Sequence, residues 1–217
     1  SLDNADISIT VAPAESTTAM MANVSFNGLS ATMGSLMSAT LGNTTLLAMA
    51  QHDESKEDML LKWDPRIKMT FEDGQLDMLD EPILLPQLDF DFSLGRFNIN
   101  DCRVEIDNSD IMLWGDVYNI GEYLDGTGLL TGELYLESDY VDINKILALT
   151  GSTDDEVEAA EQVVSEVEAG QDTIDAGPIM IPKGIDLTLY TNLSEVGFND
   201  HTFNNVGGDV TVQIGRA

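Results

Sequence analysis

The side chains that most often do chemistry are sparse in this chain. His52 and His201 are the two histidines; each lies in a turn-like stretch, with no second histidine at metal-ligand spacing. Cys102 is the single cysteine, so neither an intrachain disulfide nor a cysteine-based zinc site can form, and we expect it to be a small core residue of a strand. No nucleophile elbow, phosphate loop or nucleophile–base pair can be named. We therefore predict a non-enzymatic protein with no catalytic residue, cofactor or metal.

Carboxylates are the one abundant reactive group. Asp107, Asp110 and Asp116 fall near one predicted turn, and clustered oxygens are what calcium prefers. The spacing of a helix–loop–helix calcium loop is absent, however. With 39 acidic residues, close pairs are expected by chance, so a solvated acidic face is the preferred interpretation.

The net charge of −30 over 217 residues limits the partners of the chain. Such a surface repels phosphate backbones and anionic membrane surfaces, so nucleic-acid binding is disfavoured. An apolar fraction of 43% argues against disorder of the whole chain. No apolar run is long enough to span a bilayer.

The chain begins with Ser-Leu-Asp and ends in a strand-like stretch, so we expect a fragment of a longer protein, forming one elongated domain over residues 1–217.

Period-2 alternation dominates the chain and predicts a mainly β fold. It is clearest at residues 88–94, where Leu88, Phe90, Phe92 and Leu94 alternate with polar residues. Short helices are predicted near residues 116–124 and 142–149, the second with Asp142 as its N-cap. Residues 72–74 (EDG) predict a turn, and residues 152–176 predict an acidic helix or linker.

A sequence motif near residue 82 recurs near residue 178. PILLPQLDFDF at 82–92 matches PIMIPKGIDLTL at 178–189, and Ile99-Asn-Asp aligns with Phe198-Asn-Asp, which predicts a turn at each Asn-Asp pair. Chance similarity of two hairpins is the alternative. Repeat units over about 82–150 and 178–217 predict an extended, curved antiparallel sheet with one acidic face and one apolar face. The pattern leaves open whether the apolar face is a closed core or an open groove.

Residues 82–217 resemble the AsmA-like family. The resemblance rests on residues 133–147 (ELYLESDYVDINKIL) after Gly132, and then on the order of an acidic insert, PIMIP at 178–182, IDLTL at 185–189, VGFND at 196–200 and FNNVG at 203–207. It implies a bacterial envelope protein, similar to bridge-like lipid-transfer proteins, which extends into the periplasm and is anchored to the inner membrane at full length. It also implies a role in lipid transport or outer-membrane biogenesis, with phospholipid as the ligand and unknown envelope protein partners.

Nine apolar residues are the candidates for lining a lipid groove. They are Leu88, Phe90, Phe92, Leu94, Leu134, Leu136, Ile185, Leu187 and Leu189. A structural periplasmic or surface β module that binds protein or glycan partners is the alternative function, and it predicts a sealed core.

Overall fold

The computed structural model describes residues 2–3, 5–13, 18–33, 37–52, 54–55, 59–78, 81–150 and 184–214. These residues form 13 strands and three helices. They are β1 (Leu2–Asp3), β2 (Asp6–Pro13), β3 (Thr18–Phe26), β4 (Gly28–Met33), β5 (Met37–Leu41), β6 (Thr44–Gln51), α1 (Met59–Trp63), β7 (Pro65–Met78), β8 (Glu81–Phe92), β9 (Arg96–Ile106), β10 (Ser109–Tyr118), α2 (Ile120–Leu124), β11 (Leu130–Asp142), α3 (Ile143–Thr150), β12 (Ile185–Phe198) and β13 (His201–Ile214).

The described strands form one curved, open sheet, which confirms the predicted fold class. From β7 onward the strands pair in chain order to β13. On the other side, the first part of β7 pairs with β6 and then β3 and β2, and its last part pairs with β5, then β4 and β1. Among the described pairs, β11 and β12 alone run parallel, with the first residue of β12, Ile185, paired with the first residue of β11, Leu130.

The sheet bends along a line where several strands are interrupted. The break between β5 and β6 at Gly42 lies beside Glu72, and the Gly42 N–H donates to the Glu72 carbonyl at 3.1 Å. Asp73 adopts a left-handed backbone with φ 58°, and β8 carries a register shift between Leu84 and Gln87. Extra residues of this kind increase local twist and bend a sheet. The turn predicted at residues 72–74 is therefore wrong: β7 continues through it as a kinked strand.

The described residues include three short helices, which lie at the ends of strands. The Asp142 carboxylate accepts the Asn144 backbone N–H at 2.9 Å, which confirms Asp142 as the N-cap of α3. The helix predicted over 116–124 begins at Ile120, because residues 116–118 pair as part of β10. The sequence did not predict α1; its Leu61 side chain is buried and approaches Gly121 of α2.

The two proposed repeat units are each built around an antiparallel hairpin, β8–β9 and β12–β13, but their turns differ. The second turn lies at Asn199-Asp200, as predicted. The first lies at residues 93–95, and Asn100-Asp101 sits inside β9 at a register shift, so that predicted turn is wrong. The acidic segment 152–176 and the prolines at 178 and 182 lie outside the described residues.

Candidate functional site

The apolar residues of the strands align in rows across the sheet. Cross-strand partners place their side chains on the same face, so the register gives each row directly. The Phe90 row crosses ten strands and carries no polar side chain. Its members are Ile7, Val24, Leu46, Met69, Phe90, Ile99, Gly115, Leu134, Leu189 and Val210.

Two further rows flank the Phe90 row on the same face. The Phe92 row also crosses ten strands and contains Ile9, Ala22, Ala48, Ile67, Phe92, Phe97, Val117, Gly132, Leu187 and Val212. The Leu88 row contains Phe26, Thr44, Phe71, Leu88, Cys102, Leu113, Leu136, Thr191 and Gly208. We call these three rows, with the Leu130–Ile185 pair beside them, the apolar face.

The register places eight of the nine groove candidates on the apolar face. Leu94 is the exception: β8 ends at Phe92, so Leu94 lies in the turn to β9, where its carbonyl accepts the Gly121 N–H of α2 at 2.7 Å. Sequence reasoning missed the share of the face that the other strands supply, which are β2, β3, β6, β7, β9, β10 and β13. Alternation was visible at residues 5–11 and 22–33, but the alanines and methionines of residues 34–50 hid it in β6.

The apolar face is only half-buried. All nine groove candidates have intermediate exposure. Among the described residues, six apolar side chains are buried, and four of them (Ile106, Val141, Val196 and Phe198) lie near the strand ends where α3 contacts β12. The described strands form a single sheet, with no second sheet packed on it. Over this part of the chain, the face is an open surface and not a sealed core.

Two glycines in the rows let neighbouring strands approach closely. A Cβ on Gly115 would collide with the Glu133 carbonyl oxygen, and a Cβ on Gly132 would collide with the Asp116 carbonyl oxygen. Gly115 also has φ 137°, which L side chains rarely adopt. It lies beside the register shift of β9, so glycine here combines a close contact with a backbone irregularity.

Three phenylalanine rings contact one another on the apolar face of the β8–β9 hairpin. The Phe97 ring lies edge-on to Phe90, with centroids 5.6 Å apart, and edge-on to Phe92 at 6.0 Å. Edge-to-face pairs at these distances are favourable beyond the area that they bury. The three rings form a contiguous aromatic patch within the Phe90 and Phe92 rows.

The opposite face is polar and carries the charge. Asn100 donates to the carboxylates of Asp89 and Asp91 at 3.0 and 3.2 Å, and Lys68 lies 3.3 Å from Asp91. The Arg96 guanidinium donates to Asp116 at 2.6 Å and lowers the pKa of that carboxyl. These groups satisfy one another on the polar face. The three rows of the apolar face contain no charged residue.

An aromatic ladder crosses the polar face. Trp114, Tyr135 and Tyr190 are cross-strand partners on β10, β11 and β12. The Trp114 and Tyr135 rings stack with centroids 5.6 Å apart, and the Tyr135 and Tyr190 rings stack at 5.0 Å. Partial desolvation, followed by the nearby Glu133 carboxylate, raises the pKa of Tyr135. Tyr190, at the outer end of the ladder, is exposed.

His52, Cys102 and the aspartates each have contacts of their own. His52 packs on Trp63 with ring centroids 4.5 Å apart, and Cys102 is half-buried in the Leu88 row, where burial raises the pKa of its thiol. Asp107 pairs with Lys145 at 3.6 Å, while Asp110 accepts the backbone N–H groups of residues 139 and 140. Within the described ranges, no group of three acidic, histidine or cysteine residues could hold a metal ion.

Comparison with known proteins adds no relative. No protein-family model, no curated protein and no solved structure matches the chain. None of the described helices has both the length and the apolar character needed to cross a membrane. The apolar face itself therefore carries the functional argument.

Proposed function

We propose that this chain is a non-enzymatic bacterial envelope protein that binds lipid acyl chains on its apolar face, as the resemblance to AsmA-like proteins implies. The proposal includes a role in lipid transport or outer-membrane biogenesis. It also includes a periplasmic location, with the full-length protein anchored to the inner membrane. The observation that carries it is the pair of rows that cross ten strands without a charged side chain, in a chain with 39 acidic residues.

The dimensions and chemistry of the apolar face suit an acyl chain. Ten strands at a spacing of about 4.8 Å give the face a width of about 43 Å along the curved sheet. Each methylene that moves from water onto this face contributes about 0.8 kcal/mol if its burial is complete, and proportionately less on an open surface. Length along the rows can therefore supply affinity without any polar contact, and the headgroup can remain in water.

Half-burial is the property that distinguishes a binding face from a core. A sealed sandwich would bury Phe90 and Leu189 against a second layer. Here both retain intermediate exposure. A contiguous exposed apolar surface on a soluble domain marks an interaction site. The charge on the opposite face favours solubility of the ligand-free protein, in which the apolar face is exposed to water.

The test is native mass spectrometry with solvent extraction of the purified chain, followed by titration with a fluorescent acyl probe. Leu189→Lys places a charge in the Phe90 row, between Leu134 and Val210. Asn192→Lys makes the same change of charge on the same strand at an exposed polar position, and is the matched control. We expect phospholipid to copurify with the wild type and with Asn192→Lys, and to be lost from Leu189→Lys with circular dichroism unchanged. A lipid-free wild type that does not bind the probe would refute the proposal.

The alternative function, a structural module that binds protein or glycan partners, is favoured by the aromatic ladder. Aromatic rings exposed at a protein surface are enriched at binding sites for both kinds of partner. Tyr190→Ala removes the exposed end of the ladder without touching the apolar face. Loss of binding to a glycan panel in this variant, with acyl binding absent from the wild type, would establish the alternative in place of the lipid function.

A further inference from the structure

The outer edge of β13 is long, exposed and almost without charge. It is one edge of the described sheet, and β12 is its partner on the inner side. The strand has 14 residues, no proline and one carboxylate, Asp209, in a chain that carries 39 acidic residues. Proteins usually protect such edges with lysine, proline or short strands, because a free edge is a template for pairing. This edge has none of these three protections, and its irregularity at Asn205 (φ 55°) lies just outside the segment from Val206 to Val210.

Among the described strands, only β12 pairs with β13, so the backbone groups along its outer edge are open to hydrogen bonding within this part of the structure. The Gly208 carbonyl points toward β12, where the Thr191 hydroxyl donates to it at 3.2 Å. Because backbone groups alternate between the two sides of an antiparallel strand, Gly207 and Asp209 direct theirs to the free edge. Val206 and Val210 lie two residues either side of Gly208, and they are 38% and 58% exposed.

We propose that β13 pairs with β13 of a second copy of this chain, antiparallel and in register about Gly208. The segment Val206-Gly-Gly-Asp-Val210 is self-complementary in this register. Each Val206 faces the partner's Val210, each Gly207 faces the partner's Asp209, and the two Gly208 residues meet on the two-fold axis. The carboxylates face glycines and not each other, and the hydrogen-bond ladder of β12–β13 continues into the second copy.

The pairing would join the apolar faces of the two copies. A two-fold axis perpendicular to the sheet keeps the same face on the same side in both copies. Val206 and Val210 lie on the apolar side of β13, so the Phe90 row of each copy would end at the shared interface. The inference rests on the edge of β13 alone and does not depend on lipid binding. The high net charge opposes association, so the dimer is expected to be tighter at high ionic strength.

The first test measures oligomeric state by sedimentation as a function of concentration. Val210→Lys places two lysines beside the partner's valines, and Ile9→Lys makes a similar change at the opposite edge of the sheet, where Ile9 is 70% exposed. We expect a dimer for the wild type and for Ile9→Lys, and a dissociation constant raised roughly tenfold or more for Val210→Lys. A wild type that stays monomeric, or equal weakening by both variants, would overturn the proposal; the second result would indicate head-to-tail association.

The second test is a disulfide on the proposed axis. Gly208→Cys in a Cys102→Ser background puts two thiols opposite each other, at a Cα separation of about 4.5 Å that a disulfide accepts. A Cβ on Gly208 meets no atom within 4 Å, so the monomer tolerates it. We expect a covalent dimer on mild oxidation, and none for Thr202→Cys, which would lie far from its own copy across the axis. Equal crosslinking at both positions would show random collision and refute the register.

Discussion

Gly115 provides the sharpest test of how the rows are assembled. It lies in the centre of the Phe90 row, between Ile99 and Leu134. Its φ of 137° and the position of the Glu133 carbonyl both exclude a side chain. We predict that Gly115→Ala destabilises the fold severely, because alanine must either strain the backbone or separate β10 from β11.

The magnitude follows from two independent costs. A residue forced into a sparsely populated backbone region costs about 1–3 kcal/mol. Overpacking against a fixed backbone atom costs about 1–3 kcal/mol more. The sum is about 2–6 kcal/mol, and for a chain of this size each kcal/mol lowers the melting temperature by about 2–4 °C. Near the middle of this range, about 4 kcal/mol, we expect a fall of about 8–16 °C.

The assay is urea unfolding followed by tryptophan fluorescence, because Trp114, one of the two tryptophans, stacks on Tyr135 beside the altered strand pair. Gly95→Ala is the matched control, since its new Cβ comes no closer than 4.0 Å to the Ser93 hydroxyl and lies away from the β13 edge. We expect Gly95→Ala to change the unfolding free energy by less than about 1 kcal/mol. A Gly115→Ala protein as stable as this control would show that β10 and β11 do not approach as closely as described, and the register of the central rows would fall with it.

Three further predictions concern side chains that organise the strand ends. Asp110→Ala leaves two consecutive β11 amides without their carboxylate, including that of Tyr140 at 2.9 Å, and should cost about 2–4 kcal/mol in urea unfolding, with a smaller loss for Asp110→Asn. Asp116 has a lowered pKa because Arg96 donates to it; its contribution to stability is complete above the unfolded pKa of about 3.9 and is lost as the pH falls through the folded value. Asp116→Asn should therefore flatten the acid side of the stability–pH profile, and an unchanged profile would contradict the ion pair. Asp142→Ala removes the N-cap of α3 and should cost about 1 kcal/mol, whereas Asp142→Ser should restore most of it.

Local pattern was sufficient for most of the fold. Alternating residues such as those at 88–92 fix a strand with one apolar and one polar side, because successive side chains point to opposite faces. The N-cap at Asp142 was also local, since a carboxylate reaches amides two and three residues later. The groove candidates of β8, β11 and β12 were found on this basis, and their common face follows once the strands are paired.

Other features depended on contacts between distant residues. Residues 72–74 have turn chemistry, but β5, β6 and β8 on either side hold β7 as one strand through them, with a kink at Asp73. Asn100-Asp101 resembles the turn at Asn199-Asp200, yet β8 and β10 flank it and make it a bulge. Neighbouring strands supply hydrogen bonds to backbone groups that a local turn would otherwise satisfy internally. The local sequence of either segment does not indicate which strands will pair with it.

The sequence by itself determined that this protein has an apolar strand face and an acidic one, because period-2 alternation is a property of each strand separately. Only the tertiary structure decided that the apolar sides align into rows across ten strands and that, among the described residues, no second sheet covers them. Register and closure depend on pairing between residues far apart in the chain. A shift of one residue in a single pair would turn that strand's apolar side to the opposite face.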